Sequence, residues 1–202
     1  KELHFELQKK SKDFSKILKA GRTHLQDATP ITLGQEFGAY ARAIEKHIVR
    51  LNESKVFLKE IGVGGTAVGT GLNTFPQFRK KVVSNLGRQL KQKFSVTKNG
   101  VEATQFLTDL AGVSAALKLL AVDLNKIAFD LRLMNSGPKT GFNEIVLPAV
   151  EPGSSIMPGK VNPSVAECVN MCCLQVMGND VVISTACANG VLELNTHMPL
   201  IA

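Results

Sequence analysis

The chain has no tryptophan and one tyrosine, and aromatic residues make up only 5% of its 202 positions. That scarcity argues against a surface that stacks the bases of single-stranded nucleic acid, which needs successive aromatic platforms. There are four cysteines, Cys168, Cys172, Cys173 and Cys187. Cys168 and Cys172 have helical spacing, but no histidine follows closely enough to complete a tetrahedral site, and adjacent Cys172 and Cys173 are an unusual ligand pair. Small buried thiols in a reducing compartment are expected, and no metal. No unbroken apolar run is long enough to span a membrane, and Lys1–Glu6 does not read as a signal peptide. An initiating methionine is also missing; the first residues read as the middle of an amphipathic helix, and Asn195–Ala202 stops without a polar tail. The expectation is a fragment of a longer protein.

What is present points to a globular fold. Hydrophobic residues reach 44% and charged residues 20%, a balance that suits a folded core rather than disorder. The formal charge of +7 and the pI near 9.3 raise nucleic acid or a small anion as partners. The basic residues are scattered over Lys9, Lys10 and Lys12, then 79–81, then 88–98, which reads as solvated helix faces. No nucleic-acid partner is expected.

Hydrophobic spacing sets the architecture. Leu3, Leu7, Phe14, Ile17 and Leu18 give a first helical stripe, closed by Ala20-Gly21. A polar connector of about fifteen residues follows from Arg22 to Glu36, with Thr29-Pro30 and Thr32 as helix-entry chemistry. From Gln35, residues Phe37, Tyr40, Ala41, Ile44, Ile48, Leu51 and Leu58 predict a second helix. The run Gly62–Gly71 lacks the Lys-Ser/Thr of a phosphate loop, so a sharp turn or close backbone approach is the better account. Weak periodicity covers 75–90, and Asn99-Gly100 marks a turn. From Phe106 through Leu110, Val113, Leu117, Leu120, Leu124, Ile127 and Leu131 to Met134, steps of three and four predict a helix of about thirty residues, all of these positions in the core. Gly137-Pro138 ends it. Asn162-Pro163 reads as a cap and first-turn proline, Ser164 and Glu167 as first-turn chemistry, and Val165, Val169, Cys172 and Val176 as a buried stripe. No strand is predicted. The fold class is all-α, a long-helix bundle, with residues 1–202 forming one helical-bundle domain.

The chemistry gathers in loops. Gly153-Ser-Ser-Ile-Met-Pro-Gly-Lys-Val-Asn162 holds two hydroxyls, an ammonium and a carboxamide. By composition alone it is a flexible surface loop, but the set also suits holding a carboxylate while a proton leaves the neighbouring carbon. Lys160 and neutral donors facing His24 would stabilise the doubly charged carboxylate so formed. Serine is a base only with help, such as cationic neighbours or backbone N–H groups.

These residues resemble a known family. Gly153–Asn162 is similar to the signature of the aspartase/fumarase superfamily, Gly21–Pro30 resembles its second shared box, and Gly64–Asn73 is most similar to class II fumarases. The resemblance covers essentially the whole chain. It implies the central helical domain of a homotetramer, a reversible hydration of fumarate to malate, a dicarboxylate substrate, no cofactor and no metal. It implies that Ser154 removes the C3 proton of malate and that Thr23 and His24 bind substrate and handle the departing hydroxyl through water. Ser155, Lys160, Val161 and Asn162 would hold a substrate carboxylate, and Glu167 would pair with the histidine across subunits. The family's upstream box and its small C-terminal domain lie outside these residues. An aspartate ammonia-lyase is the alternative, since 103–105, 130–134 and 144–149 look as much like that branch; a catalytically silent helical module is the third. The implied location is cytoplasmic, or the mitochondrial matrix if the source is a eukaryote.

Overall fold

The computed structural model describes every residue from Lys1 to Ala202. Helix α1 (Glu2–Asp13) leads into strands β1 (Leu18–Thr23) and β2 (Gln26–Thr32) and then helix α2 (Leu33–Ser54). A single 3-10 turn and strand β3 (Glu60–Ile61) precede α3 (Phe78–Leu90), β4 (Ser95–Val96) and α4 (Gly100–Gln105). The long helices α5 (Thr108–Met134) and α6 (Ser164–Ala188) follow, and α7 (Met198–Ile201) is one short turn. The architecture is all-α in substance: the strands form one antiparallel hairpin and one two-residue parallel ladder.

That hairpin corrects the expectation of a strandless connector. β1 and β2 pair from Leu18↔Thr32 to Thr23↔Gln26, leaving His24 and Leu25 as a two-residue turn. The turn was hidden because both residues take left-handed backbone, φ 54° and 60°, where Asn-Gly is the usual signal. The strand signal was weak too: all of β2 up to Pro30 is exposed, so no alternation marks a buried face.

The chain divides into two compact units. The first comprises Lys1–Arg50 and Leu119–Leu174. Its core joins Leu7 of α1, then Leu33, Phe37, Tyr40, Ala41 and Ile44 of α2, to Ile127 and Met134 of α5. Phe37 stacks edge-on against Phe14 at 5.3 Å and Tyr40 at 5.7 Å. A reciprocal capping box starts α2: Gln35 N donates to Thr32 Oγ1, and Thr32 N donates to Gln35 Oε1. The helix-entry reading of Thr32 holds. Buried Asn170 of α6 donates to the Asn125 carbonyl and side chain of α5, which satisfies an amide that burial would otherwise penalise.

The second unit comprises Leu51–Lys118 and Gln175–Ala202. Asn99 caps α4 by accepting from Val101 N and Glu102 N. Buried Asp180 of α6 accepts from Ser114 Oγ and Lys118 Nζ of α5. Asn195, 1% exposed, donates to the carbonyls of Ala186 and Cys187 at the end of α6.

Four expectations need correction. Of the α5 stripe, Ile127 and Met134 are buried and Leu120, Leu124 and Leu131 pack against them, but Phe106, Leu110 and Leu117 are 59%, 39% and 43% exposed. On α6, Val165 and Cys172 are exposed and Cys173 is buried instead. Spacing predicts which residues share a helix face; it does not supply the neighbour that covers it. Cys168 is also exposed, so the thiols are not uniformly buried. Finally, α6 is long and apolar enough to meet the requirement for a membrane span, although polar interruptions hide this from a search for unbroken runs. Its buried polar residues Asn170 and Asp180 are bonded to α5 rather than unpaired.

Candidate active site

Two loops carry the residues singled out by sequence, both in the first unit. The hairpin places Thr23 at the end of β1 and His24 on the turn, both exposed. Left-handed backbone at His24 costs an ordinary residue about 1–2 kcal/mol. Such strain persists only where the surroundings hold it, and it concentrates at functional positions.

The second loop, 153–162, is closed on itself. Gly153 N donates to Lys160 O at 3.0 Å, Lys160 N to Met157 O at 3.3 Å, and Asn162 Nδ2 to Gly153 O at 2.9 Å. Gly153 is needed because a side chain there would collide with the Lys160 and Asn162 backbone. Asn162 therefore ties the loop shut and makes no side-chain cap for α6; the helix begins with Glu167 N donating to Pro163 O. Its carboxamide is anchored 2.9 Å from a carbonyl nine residues back, which a cap reading of Asn-Pro does not anticipate.

Ser154 is half-buried, and its Oγ accepts from Ile156 N and Met157 N, each at 3.3 Å. Two backbone dipoles aimed at one hydroxyl oxygen favour its anionic form over the neutral one. Ser155, Lys160 and Val161 are exposed beside it. Glu167, in the first turn of α6, sits 3.3 Å from Arg132 Nη2 of α5. The structure thus brings Ser154, Lys160 and Asn162 into one loop. No hydrogen bond links that loop to His24, and none links Glu167 to a histidine.

A charged network at the foot of the hairpin escaped the sequence reading. Arg22 donates to Glu144 Oε1 at 2.6 Å and lies 4.3 Å over the Phe142 ring. Lys19 is 3.4 Å from both Glu36 and Glu144. Tyr40 Oη lies 2.9 Å from Glu36 Oε1 and 2.7 Å from Asp130 Oδ2, so its one O–H is shared between two carboxylates. Burial, reinforced by the Asp130 and Glu36 carboxylates, pushes the Tyr40 phenol far above its usual range. Lys19, Arg22, Glu36, Tyr40, Asp130 and Phe142 line a cavity of about 150 Å³ that also touches Leu25 on the turn. Arg22 and Glu144 stood in segments noted for their resemblance, but 122 positions separate them, and only tertiary structure pairs them.

A sequence profile described as lyase matches residues 1–178. The chain belongs to the lyase family. Among its curated relatives in that family, the class II fumarate hydratase of Neisseria meningitidis is 50% identical over 202 residues, all of this chain and 44% of the relative. The aspartate ammonia-lyase of Helicobacter pylori is 45% identical over 193 residues, covering 96% of this chain and 41% of that one. Among solved structures, the class II fumarase of Schistosoma mansoni superposes with a TM-score of 0.93 at 37% identity, over 98% of this chain and 45% of that one. The chain spans less than half the length of these lyases. The all-α reading and the superfamily resemblance both stand.

Proposed function

We propose that this chain carries the central helical part of a fumarate hydratase, which interconverts malate and fumarate with loss or addition of water. The observation that carries the reading is Ser154, whose oxygen accepts two backbone N–H groups beside an exposed lysine. In the malate direction, Ser154 as its alkoxide takes the C3 proton. The electron pair moves into the adjacent carboxylate, which then bears two negative charges. Lys160, with Ser155, Asn162 and the amide of Val161, offers the cation and donors that hold this charge. The pair then returns to form the double bond as hydroxide leaves C2, protonated through a water held by Thr23 and His24.

The loop and the hairpin tip are unconnected in one chain, and both are exposed. That supports a site completed between copies, with Glu167 reaching a histidine of another subunit. The open apolar residues of α5 and α6, among them Leu117, Phe129, Leu133, Met171, Leu174 and Val181, are the kind of surface that a homotetramer would cover. An ammonia-lyase is the second reading, favoured by relatives of that name at 45% and 48% identity. The full-length protein is given malate or aspartate and followed by absorbance of the fumarate double bond. Fumarate from malate alone supports the hydratase; fumarate from aspartate transfers the assignment to the ammonia-lyase; neither removes both.

A further inference from the structure

In the second unit, well away in sequence from the loops discussed above, Arg79 buries two guanidinium nitrogens, Nε and Nη2, with no hydrogen-bond partner. It also makes no ion pair, although arginine stays charged under any ordinary condition. Buried donors without acceptors are rare because each forfeits its water without replacement. The two orphaned atoms are adjacent: Nε–H and the Nη2–H beside it form the edge of the fork that grips a carboxylate or phosphate with two parallel bonds.

The surrounding backbone is shaped to this side chain. Gly64 and Gly71, at φ 76° and 77°, flank its stem. A Cβ on Gly64 would sit 2.9 Å from Arg79 Cγ, and one on Gly100 would sit 2.5 Å from Nη2. The glycine-rich run that lacks the residues of a nucleotide loop therefore has a local purpose: it lets backbone approach the arginine stem, while Gly100 lets backbone approach the head. The field favours an anion as well. Between Ile61 and Val101 there are seven lysines and arginines and no carboxylate, so this stretch alone equals the chain's formal excess.

We infer that Arg79, cradled by Gly64, Gly71 and Gly100, is the anchor of a binding site for a single oxyanion, a carboxylate or a phosphate. The anion comes either from a small molecule or from a carboxylate side chain of a second copy of this chain. The inference is independent of the hydratase reading.

The parent chain, Arg79→Met and Arg79→Lys are unfolded thermally in chloride and in inorganic phosphate at equal ionic strength, and phosphate is titrated calorimetrically. Phosphate should raise the parent Tm and bind saturably, with at least tenfold weaker binding in both variants, since lysine keeps the charge but lacks the fork. In chloride, Arg79→Met should unfold no lower than the parent, because the charge it removes has no partner. Sedimentation separates the sources. A parent that self-associates in chloride, comes apart in phosphate and stays apart as Arg79→Lys identifies a second copy as donor of the carboxylate. Saturable phosphate binding without a change of mass identifies a small anion. Phosphate indistinguishable from chloride, with the mass unmoved by Arg79→Lys, overturns the inference. So does an Arg79→Met chain that unfolds well below the parent in chloride, which would mean the guanidinium is already satisfied.

Discussion

Arg22 Nη1 lies 2.6 Å from Glu144 Oε1, and this pair ties the strand ending at Thr23 to the segment that leaves α5. The two side chains are only 22% and 16% exposed, so losing one partner leaves a poorly hydrated charge. Glu144→Gln preserves shape and should destabilise by about 1–3 kcal/mol, read from urea unfolding. In the full-length protein it should also lower the kcat of the proposed hydration, because His24 follows Arg22 by two residues. An unchanged urea midpoint would show the pair to be incidental.

Ser154→Ala removes the proposed base and the acceptor of two amides. Full-length protein with this change should lose kcat by a factor of about 10²–10⁴, with circular dichroism unchanged because the loop keeps its Asn162 to Gly153 closure. Activity within threefold of the parent would remove Ser154 from the chemistry.

Leu25 holds left-handed backbone at φ 60° while 66% exposed. Leu25→Gly should therefore relieve strain and raise stability by about 1 kcal/mol, offset in part by the greater freedom of glycine in the unfolded chain. Thermal unfolding checks the sign. A lower Tm would mean that Leu25 contributes more through the cavity beside Phe142 and Met134 than its backbone costs.

The Lys118 ammonium, with help from Ser114, holds the Asp180 carboxyl below the usual carboxylate range. A depressed carboxyl stabilises the fold above its unfolded value, near 3.8, and that stabilisation disappears as pH falls through the lower folded value. The urea midpoint of the parent should thus drop as pH falls from about 5. In Lys118→Met the main cause of the shift is gone and only the Ser114 hydrogen bond remains, so the midpoint should start lower at neutral pH and fall less steeply in acid. Parallel profiles would show that the pair adds nothing to acid sensitivity.

Asn99 accepts from two amides at the start of α4. Asn99→Ala should cost about 1 kcal/mol, measured as a fall in urea midpoint. Asn99→Asp, which keeps the acceptor, should recover most of it; equal losses in both would assign the effect to something other than capping.

Much of this was legible without coordinates. The unbroken three-and-four spacing from Leu110 to Met134 became one helix, because periodicity is a property of the local backbone. Thr32 and Gln35 lie three apart, so a capping box could be anticipated from local order. The concentration of Ser154, Lys160 and Asn162 in one glycine-flanked loop is likewise a matter of near neighbours in sequence. The hairpin was not legible: its turn uses histidine and leucine where glycine or asparagine is usual, and its second strand has no buried face to impose alternation.

The sequence by itself determined that α5 is one long helix, that Thr32 stands at the entry of α2 and that Ser154, Lys160 and Asn162 share one loop. Each of these depends on interactions a few residues long. Tertiary structure alone decided that Leu117 and Phe106 stay open while Ile127 is covered, that Arg22 meets Glu144, and that the Arg79 fork faces no acceptor. Burial and pairing require a second surface. Its identity depends on which distant segments the fold brings together, and no local pattern encodes that.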